Sequence, residues 1–186
     1  MGLFSKNKKS NVSEVKLPDK IQFELNNNSN IEIDRKVYAD VKFPYNDMLE
    51  IIDLIMITSK GIFIFLPLYT IGEYIGGQFE MMWSVGNKKI KNPIEIQKYK
   101  ISALGSYLHI ERNQIIPYIY IVLNNNSIIR DIPYCSKKYR IVRERDLYYF
   151  LGLHTNILPD IFSEKEISEF KKRLNKSNII KELYNS

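Results

Sequence analysis

Side chains able to do chemistry are sparse in this sequence, and they fall into two groups. Glu50 and Asp53 open an apolar run, IIDLIMI, while Glu73 and Glu80 follow downstream with Lys88 and Lys89 beyond them. Carboxylates brought together from neighbouring strands hold hard divalent cations through oxygen. After the first carboxylate pair comes GIFIFLPLYTIGEYIGG, residues 61–77, which contains Glu73 and in which Leu66-Pro67-Leu68 carries no side-chain donor, acceptor or charge. The second group is cationic: Lys6, Lys8 and Lys9; Lys88, Lys89 and Lys91; Lys137, Lys138, Arg140, Arg143 and Arg145; and Lys171, Lys172 and Arg173. The third cluster interleaves with Tyr134 and Tyr139, a mixture that grips phosphates and stacks bases. His109, His154 and Cys135 are the only histidines and cysteine, too few for a structural zinc site.

The elements that must position these groups follow from periodicity. IIDLIMI (51–57) and GIFIFL (61–66) are β-branched and aromatic runs, apolar on both faces, and they predict two central strands. Gly61 closes the short Thr58-Ser59-Lys60 loop and supplies the positive φ a hairpin needs. Upstream, IQFEL and IEIDRKVYADVKF alternate as strands across an Asn-rich turn at 26–30, with a helical turn from Asp19 as the competing reading. Pro44 ends the second of these, and FPYNDMLE is a connection. Glu73–Val85 reads as extended, bent at Gly72, Gly76 and Gly77. Asn92-Pro93-Ile94-Glu95 predicts a capped helix start, and Ile94, Ile101, Leu104 and Leu108 give that helix an inward stripe. Strands at 115–123 and 139–142, a helix capped by Asp146, and a last helix opened by the capping box Ser163–Glu166 complete the order. This is a mixed α/β layer fold.

At 186 residues the chain reads as one domain, 19–186, behind a basic tail over 1–18. The net charge of +6 permits contact with phosphate without proving it. One cysteine forbids an intramolecular disulfide, and MGLFSKNKKS lacks the apolar core of a secretion signal, so a cytoplasmic setting is expected. No apolar run is long enough for a membrane-spanning helix. Tyr118, Tyr120, Tyr148 and Tyr149 are of the type enriched at protein interfaces and equally of the type that fills cores.

VYADVKFPYNDMLEIIDLIMITSKGIFIF, followed by Gly72-x-x-x-Gly76, Trp83 and Asn92-Pro93-x-x-x-Gln97, resembles the nuclease-related domain, NERD, over about residues 35–125. The resemblance implies a restriction-endonuclease-like central mixed sheet flanked by helices. It also implies a site in which an Asp on one hairpin strand and a Glu-x-Lys on the next hold Mg²⁺ and the attacking water. Asp53 matches the first carboxylate. Leu66 stands where the Glu would be and Leu68 where the Lys would be, with Pro67 between. A leucine neither binds a hard cation nor neutralises a phosphate. The expectation is therefore a nuclease-like fold that does not cut, needs no cofactor, and serves as a protein-interaction, self-associating or nucleic-acid-binding module in a bacterial, phage or plasmid setting. On that reading Lys88, Lys89, Lys137, Lys138, Arg140, Arg143 and Arg145 would meet nucleic acid, and Asp53 is the sole candidate metal ligand. The alternative is an active Mg²⁺-dependent nuclease that completes its site with acidic residues from other strands.

Overall fold

The computed structural model describes residues 17–27, 36–110, 118–132, 136 and 139–184. The chain opens with α1 (Leu17–Asn27). Ile21 and Leu25, four apart and fully buried, show why IQFEL is a helix and not the expected strand. An I-x-F-x-L pattern satisfies the strand period and the i, i+4 helix spacing alike, and here helical packing wins. The part of the expected tail and first strands over 1–16 and 28–35 lies outside the described residues.

β1 (Lys36–Tyr45) and β2 (Met48–Thr58) form a long antiparallel hairpin, paired from Lys36↔Ile57 to Tyr45↔Met48. FPYNDMLE is thus not a connection. Asn46 and Asp47 both take positive φ, 48° and 58°, the two-residue turn whose twist matches paired strands. Pro44 stays inside β1 because that strand is the edge of its sheet, where a missing N–H costs no ladder bond. β3 (Gly61–Leu68) returns antiparallel to β2 through a turn at Ser59-Lys60, with Gly61 at φ 143°.

The chain then builds a second sheet that the sequence reading did not separate from the first. β4 (Glu73–Ile75), β5 (Met82–Val85), β6 (Lys88–Lys91) and, after α2 (Pro93–Leu108) and β7 (Tyr118–Leu123), β8 (Ile128–Arg130) are ordered β6-β5-β4-β8. β9 (Tyr139–Arg143) completes the main sheet, ordered β1-β2-β3-β7-β9, with β3, β7 and β9 mutually parallel. α3 (Leu147–Ile157) and α4 (Glu164–Tyr184) follow. Asp146 stands at the N-cap of α3 as expected, but it ends the single 3₁₀ turn Glu144–Asp146 and its side chain makes no capping hydrogen bond. The capping box of α4 forms as expected, Glu166 accepting from the Ser163 backbone N–H at 2.8 Å.

Both faces of the main sheet are covered. α1 and α3 pack on Leu54, Met56, Phe63 and Phe65. α2 and α4 pack on Ile55, Ile57, Ile62 and Ile64. The result is a mixed α/β fold of two mixed sheets flanked by helices, and its central strands are β2, β3 and β7; the expected burial holds over 54–57 and 61–65, while Ile51 is exposed and Asp53 and Leu66 are half-buried.

Candidate functional site

The fork between β2 and β3 is where chemistry would sit. Their ladder ends at Leu54↔Phe65. The next residues, Asp53 on β2 and Leu66 on β3, are the first to part, and from there β3 keeps only β7 beside it. Loss of the β2 partner is what lets Pro67 occupy a buried strand position without an N–H. Leu66 and Leu68 share the parity of Ile62 and Ile64 and so face α2.

Asp53 lies mid-strand and half-buried, not at a strand start. Across the hairpin, between the pairs Ala39↔Leu54 and Val41↔Ile52, stands Asp40 with φ 47°. The inward-facing parity of β1 switches there, from Tyr38 to Val41, which is the mark of a local kink. Burial lifts the Asp53 carboxyl above its ordinary 3.8; Lys100 of α2 pulls it down and Asp40 pushes it up further. Asp40 and Lys100 were not among the expected site residues. The hairpin register brings the first within reach of Asp53, and the packing of α2 brings the second.

A cavity of about 370 Å³ opens beside the fork. Leu66, Pro67 and Leu68 form one wall, and Ile96, Gln97 and Lys100 of α2 form another. Asp53 does not line it, and Lys100 is the group that links the two. A neighbouring cavity of about 560 Å³ shares Lys100 and adds Glu50, Met81, Met82 and Tyr99. Glu50, at the end of the expected connection FPYNDMLE, is a buried strand residue opposite Phe43.

The donor set does not fit the metal site that the motif would imply. Leu66, on which the resemblance lays the second carboxylate, is apolar, and Asp40, though near, is exposed. Among the described residues no three acidic, histidine or cysteine side chains are placed to hold an ion. Glu73 is engaged elsewhere, its Oε1 2.6 Å from Arg130, and neither Glu73 nor Glu80 lines the fork cavity.

The remaining motif residues lock the second sheet to α2. Asn92, fully buried, accepts from the Ile94 N–H at 2.9 Å and donates to the carbonyls of Glu80 at 2.7 Å and Gln78 at 3.1 Å. Pro93 takes the first helical position. Trp83 donates to the Gly77 carbonyl at 3.0 Å, and its ring lies so close to Gly76 that a Cβ there would meet Cδ1 at 2.3 Å. Gly72 accepts from the Ile128 N–H at 3.0 Å, joining β8 to the sheet.

The cationic residues divide. Lys88 and Lys89 are exposed on β6, an edge of the second sheet, with Lys89 donating to Ser84 Oγ at 2.7 Å. Arg140 and Arg143 are half-buried on β9, the opposite edge strand of the main sheet. Arg140 lies 4.9 Å from the Phe150 ring centre. Arg145 is exposed, 3.8 Å from Asp146. Lys137 and Lys138 lie outside the described residues. Of the tyrosines, Tyr120 is core and Tyr149 is exposed. Nothing in the sequence pattern pairs Tyr120 with His154: the Tyr120 hydroxyl, its pKa pushed up by burial, is hydrogen-bonded to Nδ1 at 2.8 Å. Burial and Arg140 hold the His154 ring below its ordinary 6.5.

Among the described residues no helix is long and apolar enough to cross a membrane. No curated protein and no solved structure matches the chain. The family model of the nuclease-related domain matches residues 11–122, a span that takes in the β1–β2–β3 fork, the Trp83–Asn92 lock and β7. That match covers more than half of the sequence and joins the motif order to the architecture around it: the chain belongs to the nuclease-related domain family, NERD.

Proposed function

We propose that this nuclease-related domain binds without cutting, and that its partner is a protein met at the mouth of the fork. The observation that carries the reading is the apolar wall Leu66-Pro67-Leu68 standing where a metal-held water and a lysine would be needed. Metal-assisted hydrolysis requires oxygen ligands for the cation and positive charge on the developing phosphate, and these side chains supply neither. Met81, which lines the adjoining cavity, and Phe79, two residues before it, are more than four-fifths exposed, and Met48 and Leu49 at the β1–β2 tip are also exposed. Exposed apolar side chains of this size are interface material. The test is incubation of the purified protein with supercoiled plasmid and with single-stranded RNA in Mg²⁺ or Mn²⁺. No cleavage is expected. Cleavage abolished by Asp53→Ala would sink the proposal.

A second reading is favoured by one observation: Asp40 opposite Asp53, with Lys100 beside them. Two carboxylates and a lysine drawn from β1, β2 and α2 would be a relocated Mg²⁺ site. Loss of any cleavage in Asp40→Asn and in Lys100→Met as well as in Asp53→Asn distinguishes this site from a contaminating nuclease. Nucleic acid held by Lys88, Lys89, Arg140, Arg143 and Arg145 would instead show as a gel shift that weakens steeply with salt.

A further inference from the structure

Gln97 Oε1 is buried in α2 and has no hydrogen-bond partner among the described residues, while Gln97 lines the fork cavity and is only 1% exposed. An amide oxygen shut away from bulk water and left unpaired is costly, and folded proteins keep very few. The cavity is the place its partner would occupy. Apolar walls flank it: Leu66, Pro67, Ile90 and Ile96. Leu68, Pro93, Tyr69 and Thr70 also line it, and so do Lys91 and Lys100, neither of which has an acidic partner at ion-pair distance among the described residues. Nearby Tyr74 is already satisfied, its hydroxyl donating to the Thr70 carbonyl at 2.6 Å. The cavity therefore combines apolar walls with an unpaired buried acceptor, the hydroxyl-bearing Tyr69 and Thr70, and two cations. At about 370 Å³ its volume lies in the range of small-molecule sites.

We propose that the fork cavity binds a small planar organic anion: an aromatic body between β3 and α2, an N–H or O–H donor directed at Gln97 Oε1, and a carboxylate or phosphate facing Lys91 and Lys100. Leu66, Pro67 and Leu68 make the β3 wall of the cavity apolar, which suits the face of a ring. This goes beyond the binding-module reading. The ligand site stands whether or not a protein partner exists, and cleavage of nucleic acid by the domain would not by itself remove it.

Calorimetric titration with defined probes tests it. Indole-3-acetate carries a ring N–H and a carboxylate, 1-methylindole-3-acetate lacks the donor, indole lacks the anion, and adenosine 5′-monophosphate is the phosphate arm. At least one of the two complete probes, indole-3-acetate or the nucleotide, binds below millimolar concentration, and the tighter one assigns the anionic group. Gln97→Leu weakens the tighter complete probe about tenfold, the size expected when one buried hydrogen bond is lost. If that probe is indole-3-acetate, removing its N–H by methylation costs a similar factor. The paired change Lys91→Met and Lys100→Met weakens the anions and leaves indole unaffected. Thermal unfolding of Gln97→Leu, which replaces the unpaired amide with a similar apolar volume, shows no loss of stability. Failure of both complete probes to bind, or indifference of the bound probe to Gln97→Leu in a folded protein, overturns the proposal.

Discussion

Leu66→Glu with Leu68→Lys puts back the two groups that the fork lacks, and its consequences can be worked from the ladder. Leu66 is the residue after the last β2–β3 pair, Leu54↔Phe65, so a glutamate there stands across from Asp53. Residue 68 has the same parity and also faces α2. Both leucines are half-buried, so each surrenders only part of a full side-chain burial, about 2 kcal/mol for the pair. In a domain of this size that lowers Tm by about 4–8 °C. The new carboxylate also repels Asp53, whose own ionised form is already disfavoured by burial. A divalent cation relieves the repulsion. With a Kd of about 1 mM, a Mg²⁺ concentration of about 10 mM returns about 1.4 kcal/mol by linkage, or about 3–5 °C. The assay is thermal unfolding of the natural and restored chains with and without Mg²⁺ or Mn²⁺, alongside plasmid nicking. The restored chain should gain stability with cation and lose that gain in an added Asp53→Asn, whereas the natural chain should be indifferent. A cation-dependent Tm in the natural chain that Asp53→Asn removes would refute the argument from Leu66 and Leu68. A folded, restored chain that ignores cations would refute the register.

Asp53 has a folded-state pKa above its ordinary 3.8, so its contribution to stability is greatest below 3.8 and is lost as pH rises through the folded value. Asp53→Asn should therefore raise the urea midpoint at pH 7 and flatten its dependence just above pH 3.8, while Lys100→Met should steepen it. His154 behaves in the opposite sense: its folded value lies below 6.5, so the fold is favoured above 6.5 and loses stability as pH falls through that window. His154→Phe should abolish this acid slope. At neutral pH it should cost about 1–3 kcal/mol by stranding the Tyr120 hydroxyl, measured as urea midpoints at pH 5 and pH 7.5. Gly76→Ala forces a methyl to within 2.3 Å of the Trp83 ring and should destabilise by about 1–3 kcal/mol in chemical denaturation, with the Trp83 fluorescence shifted in the folded state.

How much of the fork could be read in advance depended on whether its parts were local. Asn92-Pro93 and Ser163–Glu166 are single-turn signals, and both helices begin where those residues place them. The runs 51–57 and 61–66 are apolar on both faces and could only be central strands. By contrast, IQFEL satisfied two periods at once, and only the packing of Ile21 and Leu25 decided between them. β6 and β8 are short and largely exposed, so they carry little apolar pattern to detect. Asn46-Asp47 is a legible two-residue turn that the rule of proline closing a strand hides, because that rule fails at Pro44 on a sheet edge.

The same distinction governs the site. Asp53, Leu66 and Leu68 sit on adjacent strands joined by two residues, so their proximity follows from the hairpin alone. Asp40 reaches Asp53 only because the β1–β2 hairpin turns at Asn46-Asp47, and Lys100 only because α2 crosses that face of the sheet. Whether the fork is inert thus turns on residues that the motif does not contain. The proposed register puts Leu66 and Leu68 at the local ligand positions, but the fork keeps a half-buried aspartate with a second carboxylate and a lysine supplied from a distance. If that trio bound a cation by itself, Asp40→Asn and Asp53→Asn would each remove a cation-dependent gain in Tm from the natural chain. If the apolar wall decides, neither substitution changes the response to cation, because there is none to lose.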